Sequence, residues 1–308
     1  MIVDLGATRV RVAHGDENGL RGRLVEATDI KRGPQGITKQ IIRMTRALGV
    51  EPSAIGIGSI GPLNLQKGSI INTPNIPFKN IPLAKPLADF FKVPVRMLND
   101  CCAAVLGEQT YGAGRGLKNI VYVTFSTGLG GGAIVDDHLL LGKDGNAHEI
   151  GHLTIEPDSE LVCGCGCRGH WEAYCSGANI PNYAKVLIGQ KILEGGSKTG
   201  ENPTVSTWKT AEDLFSDARR GDKFALFVVD KIGEINSIGF ADIVNVYDPE
   251  LITVGGSVAL NNPDMILEPI KRGIGEHVIN RIPEIKITTL GEDAVLYGSL
   301  ALAVNGPK

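Results

Sequence analysis

No apolar run in this sequence approaches the ~18 residues that a membrane-spanning helix needs. The opening residues, Met1-Ile2-Val3-Asp4-Leu5-Gly6, lack the basic stretch and apolar core of an export signal. There is no excess of positive charge either. The net charge is −3, so no broad basic surface draws in nucleic acid or a membrane. A Gly-x-x-x-x-Gly-Lys-Ser/Thr motif is absent, which removes the Walker class of nucleotide site. These absences leave a cytoplasmic protein as the expectation. Disulfides are then not expected, and the six cysteines need another explanation.

The chain has 308 residues, more than one small core accommodates, so two domains are expected. Glycine is abundant, at 40 residues, which implies many tight turns and close backbone approaches. The start is dense in strands, at residues 2–5, 9–13 and 22–27. Ile37, Ile41, Met44 and Leu48 repeat at helical spacing, so residues 34–48 read as an amphipathic helix stopped by Gly49. A buried strand follows at 54–60. Residues 62–86 read as turns and hairpin pieces, and 83–91 as a short helix interrupted near Pro86. Val93, Val95 and Met97 alternate into a strand that ends at Asn99 and Asp100, with a helix over 101–111.

After Gly112-Ala113-Gly114-Arg115-Gly116 the pattern restarts. Residues 120–125 form a buried strand, 126–132 a turn, and 133–135 the next strand. A long apolar helix spans 224–246, strands lie at 251–254 and 285–289, and a helix closes the chain at 294–304. Each half thus opens with strands around a Gly/Thr turn and continues into helices and a further strand. The expected fold is α/β, with two similar lobes facing a cleft. The small lobe takes 1–108 plus 293–308, and the large lobe 109–292.

The two turns have phosphate-binding chemistry. In Asp4-Leu5-Gly6-Ala7-Thr8, Gly6 lets the backbone approach an anion, Thr8 offers a hydroxyl, and Asp4 suits a hydrated Mg²⁺. The turn at 126–132 repeats this with Thr127, Gly128, Gly130 and Gly131, small residues that turn amides toward phosphate oxygens. Each alone reads equally as a plain hairpin turn; one in each lobe favours a phosphate clamp. Gly56, Gly58 and Gly61 match the dinucleotide fingerprint, but Pro62 and a turn-rich stretch follow where a helix is required.

Cys163, Cys165, Cys167 and Cys175 fall close together, with His152 before them and His170 among them. Clustered thiols and imidazoles in a reducing compartment point to structural zinc, although a set of inert buried cysteines has the same pattern. Spacing leaves Cys167, His170 and Cys175 as alternatives for the last ligand. Asp100, between a strand and a helix, reads as a helix N-cap or as a site residue. Glu149 and His152 stand in a loop, and Glu172 follows the Cys cluster. Such carboxylates and an imidazole suit a polyol, whose hydroxyls demand many acceptors.

These motifs resemble those of the ROK family (repressors, open reading frames and kinases) over nearly the whole chain. Asp4 to Thr8 is similar to its first phosphate turn, Thr73-Pro74-Asn75-Ile76-Pro77 to its sugar loop, and Asn99-Asp100 to its catalytic pair. The turn at 126–132 is similar to its second phosphate turn, and Gly255-Gly256-Ser257 to its adenosine-side turn. Glu149-Ile150-Gly151-His152, then Cys163-Gly164-Cys165-Gly166 with Gly169 and Glu172, resembles its sugar and zinc signature.

The resemblance implies a two-lobed actin-like (ribonuclease H-like) ATPase fold and an ATP- and Mg²⁺-dependent hexose kinase. Glucose is the leading substrate and an N-acetylhexosamine such as N-acetylmannosamine the main rival. By the same carry-over, Asp100 is the base for a sugar hydroxyl. Asn75, Asn99, Glu149, His152 and Glu172 hold sugar hydroxyls, and His152 doubles as a zinc ligand beside Cys163, Cys165 and His170. Cys167 is the rival fourth ligand. Two departures stand out: Ala7 replaces a usual Gly, and His170 stands where the family has a third Cys. The resemblance also implies a dimer or tetramer. Only three residues precede Asp4, so a repressor with an N-terminal helix-turn-helix is not expected.

Overall fold

The computed structural model describes residues 1–73, 76–193 and 208–306. Alternation builds its first sheet. Strand β1 (Ile2–Leu5) is buried along its length and lies between antiparallel β2 (Arg9–Asp16) and parallel β4 (Ile55–Ser59). Strand β3 (Gly19–Ala27) pairs with β2 and, after a buried Gly19, alternates half-buried and exposed positions, as an edge strand covered on one face does. Helix α1 (Pro34–Ala47) buries Ile37, Ile41 and Met44 against this sheet's core, the face that its 3.6-residue period predicts. Strands β5 (Leu63–Asn64), β6 (Ser69–Asn72) and β7 (Lys79–Pro82) form a separate three-stranded sheet. Helix α2 (Ala84–Phe91) is unbroken at Pro86: the proline sits in the first turn, where the amide it lacks has no helical partner. Strand β8 (Val95–Asn99) completes the order β3-β2-β1-β4-β8, and α3 (Asp100–Thr110) leaves it directly.

The second sheet repeats the plan. Strands β9 (Ile120–Phe125), β10 (Leu129–Val135) and β11 (His138–Leu139) form its antiparallel part. Helices α4 (Glu172–Cys175), α5 (Ile180–Leu193), α6 (Ala211–Arg219) and α7 (Lys223–Tyr247) follow. Strand β12 (Leu251–Gly255) then lies parallel to β9. After α8 (Ser257–Asn261) and α9 (Pro263–Gly273), β13 (Glu284–Ile287) completes the order β11-β10-β9-β12-β13. Helix α10 (Ala294–Asn305) returns to pack on α3 and β4.

Each sheet has its own apolar core. Val3, Leu5, Val12 and Ile57 anchor one, and Phe125, Trp171, Phe240 and Val254 the other. Full burial of each such side chain stabilises by roughly 1.5–3 kcal/mol before entropy is counted.

Two glycine patterns have structural explanations. An ideal Cβ on Gly56 would lie 1.9 Å from the Ser299 carbonyl oxygen, and one on Gly58 2.5 Å from Val295. The first two glycines of the apparent dinucleotide fingerprint are therefore the contact that lets α10 lie against β4. The expected turn at 126–132 is shorter than predicted. It ends at Gly128, and Gly130, Gly131 and Gly132 belong to β10. They are small because a helix and a side chain press on the strand: a Cβ on Gly132 would lie 2.3 Å from the Cys101 carbonyl oxygen, and one on Gly131 2.5 Å from Ile150.

Candidate active site

In open α/β sheets ligands gather beyond the carboxyl ends of parallel strands. Here Leu5, Ser59 and Asn99 lie in register at that edge of the first sheet, and Phe125 and Gly255 end β9 and β12 in the second. The candidate residues follow these ends.

The first turn is braced from behind. The Gly6 amide donates to the Arg9 carbonyl at 2.9 Å, and the Thr28 hydroxyl donates to the Gly6 carbonyl at 2.8 Å. Thr8 points into solvent. Ala7 has no positive φ, so its departure from glycine strains nothing, and it packs against the core of the first sheet. Asp4 is buried and pairs with Arg11, whose Nε donates to Oδ2 at 2.6 Å. Among the described residues Oδ1 takes no bond from the protein. Burial raises the Asp4 carboxyl and the Arg11 guanidinium opposes the rise.

Asp100 is the first residue of α3, not its cap. The cap is Asn99, whose Oδ1 accepts the amides of Cys101 at 2.9 Å and Cys102 at 3.4 Å. Asn99 has the extended backbone that a capping residue requires. Asp100 also accepts the Cys101 amide, at 2.8 Å. Burial, and then the charge of Asp4, pushes the Asp100 carboxyl up to about 7; the Cys101 hydrogen bond only partly opposes this. A carboxylate held near neutrality has the proton affinity of a general base at physiological pH.

At the end of β9 the Ser126 amide donates to the Gly128 carbonyl at 2.9 Å, and the Gly177 and Ala178 amides hold the Ser126 and Thr127 carbonyls at 2.7 and 3.1 Å. The Thr127 side chain is left facing outward. Glu172 Oε2 accepts the Leu129 amide at 3.0 Å, and its Oε1 lies 3.3 Å from Cys163 Sγ. One carboxylate thus joins the turn to the cysteine loop. Gly256 adopts φ 85° beside Thr124 and Phe125, a conformation open to glycine, and opens α8.

The cysteine loop gathers four side chains. The ligand atoms of His152, Cys163, Cys165 and His170 all lie within 4.8 Å of one another. His152 Nδ1 is 3.5 Å from Cys163 Sγ, and His170 Nδ1 is 3.3 Å from Cys165 Sγ. Tetrahedral zinc, with bonds of about 2.3 Å to sulfur and 2.0 Å to nitrogen, sets such pairs about 3.5 Å apart. The donor set and its spacing fit a metal ion. The thiol of Cys167 lies outside this group; its carbonyl accepts the Cys163 amide at 2.8 Å. Cys175 is buried in the core of the second sheet.

A ROK family sequence profile matches residues 1–305. The chain belongs to the ROK family. It is 38% identical over 306 residues to a glucokinase of Pyrobaculum calidifontis, covering 99% of this chain and 95% of that one. It is 30% identical to a glucokinase of Thermotoga maritima, covering 97% and 95%. Among solved ROK structures it resembles a hexokinase from Thermus thermophilus, with a TM-score of 0.81, 31% identity and coverage of 98% and 96%. It also resembles a Streptomyces griseus glucokinase in complex with glucose and AMPPNP, with a TM-score of 0.80, 29% identity and coverage of 98% and 97%. The fold is the two-lobed actin-like ATPase fold of these ROK kinases.

Against the ROK pattern, Asn75 lies outside the described residues. Glu149 precedes and His152 ends a 3-10 turn over Ile150–His152, with 3.9 Å between Oε2 and Nε2. Two residues escaped sequence reasoning. Arg11 read only as a position in the strand at 9–13, and its contact with Asp4, directly opposite across the β1–β2 hairpin, was not anticipated. Asn146, just before the Glu149 signature, bonds the backbone of Leu63: its Oδ1 accepts the Leu63 amide at 2.7 Å and its Nδ2 donates to the Leu63 carbonyl at 2.8 Å. That bridge ties β5 to the segment that leads into Glu149.

Proposed function

We propose that this chain is an ATP-dependent glucokinase, with Asp100 as the base that accepts the proton of the sugar 6-hydroxyl. The observation that carries the reading is the Asp100 carboxyl, held up to about 7 at the carboxyl edge of one sheet. The glucokinase relatives and the glucose- and AMPPNP-bound neighbour support the substrate pair.

In the reaction the hydroxyl oxygen attacks the γ-phosphorus in line with the departing β,γ-bridging oxygen. The new O–P bond forms as the old one breaks, the hydroxyl proton passes to Asp100, and ADP leaves. Asn99, Glu149, His152 and Glu172 hold sugar hydroxyls, with Asn75 beside them. Gly6, Thr8, Thr127 and Gly128 hold phosphates, and Gly255 and Gly256 bear on the adenosine. Gly130 and Gly131, inside β10, support the turn from the strand. Asp4 would hold a hydrated Mg²⁺, which would supply charge neutralisation to the phosphates. Zinc on His152, Cys163, Cys165 and His170 would be structural. Closing of the lobes excludes water from the γ-phosphate.

The test is ADP release measured over a panel of hexoses and N-acetylhexosamines. The reading expects the highest kcat/KM for glucose. A chain that releases ADP with none of them, or prefers N-acetylmannosamine, overturns it.

A further inference from the structure

One buried carboxylate takes no part in the proposed chemistry. Glu108, near the end of α3, has no exposed surface. Its Oε2 accepts the Ala113 amide at 3.0 Å. Its Oε1 accepts the hydroxyl of Thr288, and Thr288 Oγ1 accepts the Leu290 amide at 3.1 Å. The Glu108 carbonyl accepts the amides of Gly112 at 3.1 Å and Gly114 at 3.0 Å. A side chain on Gly112 would meet the Glu108 carboxylate at 2.3 Å, so the loop closes around it.

The chain passes between the lobes twice, at 111–119 from α3 to β9 and at 288–293 from β13 to α10. Ala113 lies in the first passage; Thr288 and Leu290 lie in the second. Both passages are therefore tied to one carboxyl group. The next residue back, Gly107, marks where the two crossing helices touch. A Cβ there would lie 2.7 Å from the Ala294 oxygen, and one on Gly298 1.6 Å from the Ala103 oxygen. Burying a carboxyl group in such a place costs free energy that an apolar side chain of similar size would not cost. An apolar side chain, however, could not hold two separate backbone segments.

We infer that Glu108 is the positioning residue of the interlobe hinge: it fixes both crossings to the helix that carries Asp100, so that closure brings this carboxylate to the substrate in one register. The inference rests on the kinase reading for its effect on turnover, but not for its effect on shape. Removing one tie lets the lobes sample wider separations, and a smaller closed fraction lowers the rate in proportion.

The experiment uses the full chain with Thr288→Val, which removes the hydroxyl and leaves the Glu108–Ala113 bond, Thr288→Ser, which restores the hydroxyl, and Glu108→Gln. Thr288→Val is expected to lower kcat about tenfold with KM values within about twofold, and to raise sugar-independent ATP hydrolysis relative to glucose phosphorylation. Small-angle scattering should give a larger radius of gyration for unliganded Thr288→Val than for wild type. Thr288→Ser should match wild type in both measurements. Equal scattering and equal kcat for wild type, Thr288→Val and Glu108→Gln, with only a lower Tm, would overturn the hinge role. If wild type phosphorylates no sugar, the kinase reading fails, and the scattering of the unliganded variants still decides the hinge.

Discussion

Nε2 of His152 stands 3.9 Å from Oε2 of Glu149, while Nδ1 of the same ring faces Cys163 Sγ at 3.5 Å. One imidazole thus spans the distance from the cysteine loop to a carboxylate proposed to bind sugar. A metal ion on Nδ1 fixes both the tautomer and the plane of the ring, and leaves Nε2–H as a donor with a set direction.

Metal removal should therefore act on sugar binding before nucleotide binding. Chelation, or Cys165→Ser, is expected to raise KM for glucose about tenfold or more and KM for ATP much less. Bound zinc counted by elemental analysis should fall in His170→Ala and stay near one per chain in Cys167→Ser. Full zinc in His170→Ala would exclude that histidine as the fourth ligand.

Asp100 has to be ionised to take a proton. With burial and Asp4 pushing its carboxyl up to about 7, kcat/KM for the sugar should fall as pH drops below about 7. Asp100→Asn should bind glucose normally by calorimetry and lose about 10²-fold or more of turnover. A flat profile from pH 5 to 8, or near-normal turnover in the variant, would remove Asp100 from the role of base.

The same carboxyl makes a stability prediction of definite sign. The fold raises it from 3.8 to about 7, so the folded chain binds the proton more tightly than the unfolded chain. Its stabilising contribution is complete below the unfolded value and is lost as pH rises through the folded one. The loss is on the order of 4 kcal/mol at most. Asp100→Asn is neutral throughout, so its gain in Tm over wild type should be larger at pH 8 than at pH 4. An equal gain at both would mean that burial does not set the proton affinity of Asp100.

The two repeated sheets, the first turn and the Cys/His cluster were legible in the sequence because each is written locally. Ile37, Ile41 and Met44 announce a buried helix face, and Cys163, Cys165 and His170 sit within reach of a single ion. Asp100 and Asn99 exchanged the capping role because adjacent residues with similar side chains differ only in backbone conformation. Gly130 to Gly132 read as a turn because sequence does not distinguish a glycine that bends from one that lets a helix approach a strand. Arg11 with Asp4 is a cross-strand pair whose hairpin register was not predictable. Asn146 with Leu63 and Glu108 with Thr288 could not be read, since each joins segments that only the tertiary fold brings together.

Gly132 gives the sharpest test of how packing sets the site. An ideal Cβ at this position would lie 2.3 Å from the Cys101 carbonyl oxygen and 2.7 Å from its carbon. Both are backbone atoms at the start of α3, one residue from Asp100, so no side-chain rotation relieves the contact. Gly132→Ala should push α3 away from β10 and cost about 1–3 kcal/mol of stability. A displacement near 1 Å at Asp100 should also lower kcat by about 10². Gly189→Ala is the control: this glycine lies in α5 with nothing within 4 Å of an added Cβ, and alanine there should stabilise by about 0.5–1 kcal/mol without changing turnover. Turnover of Gly132→Ala within twofold of the control would show that the helix N-terminus accommodates the methyl group without moving the carboxylate.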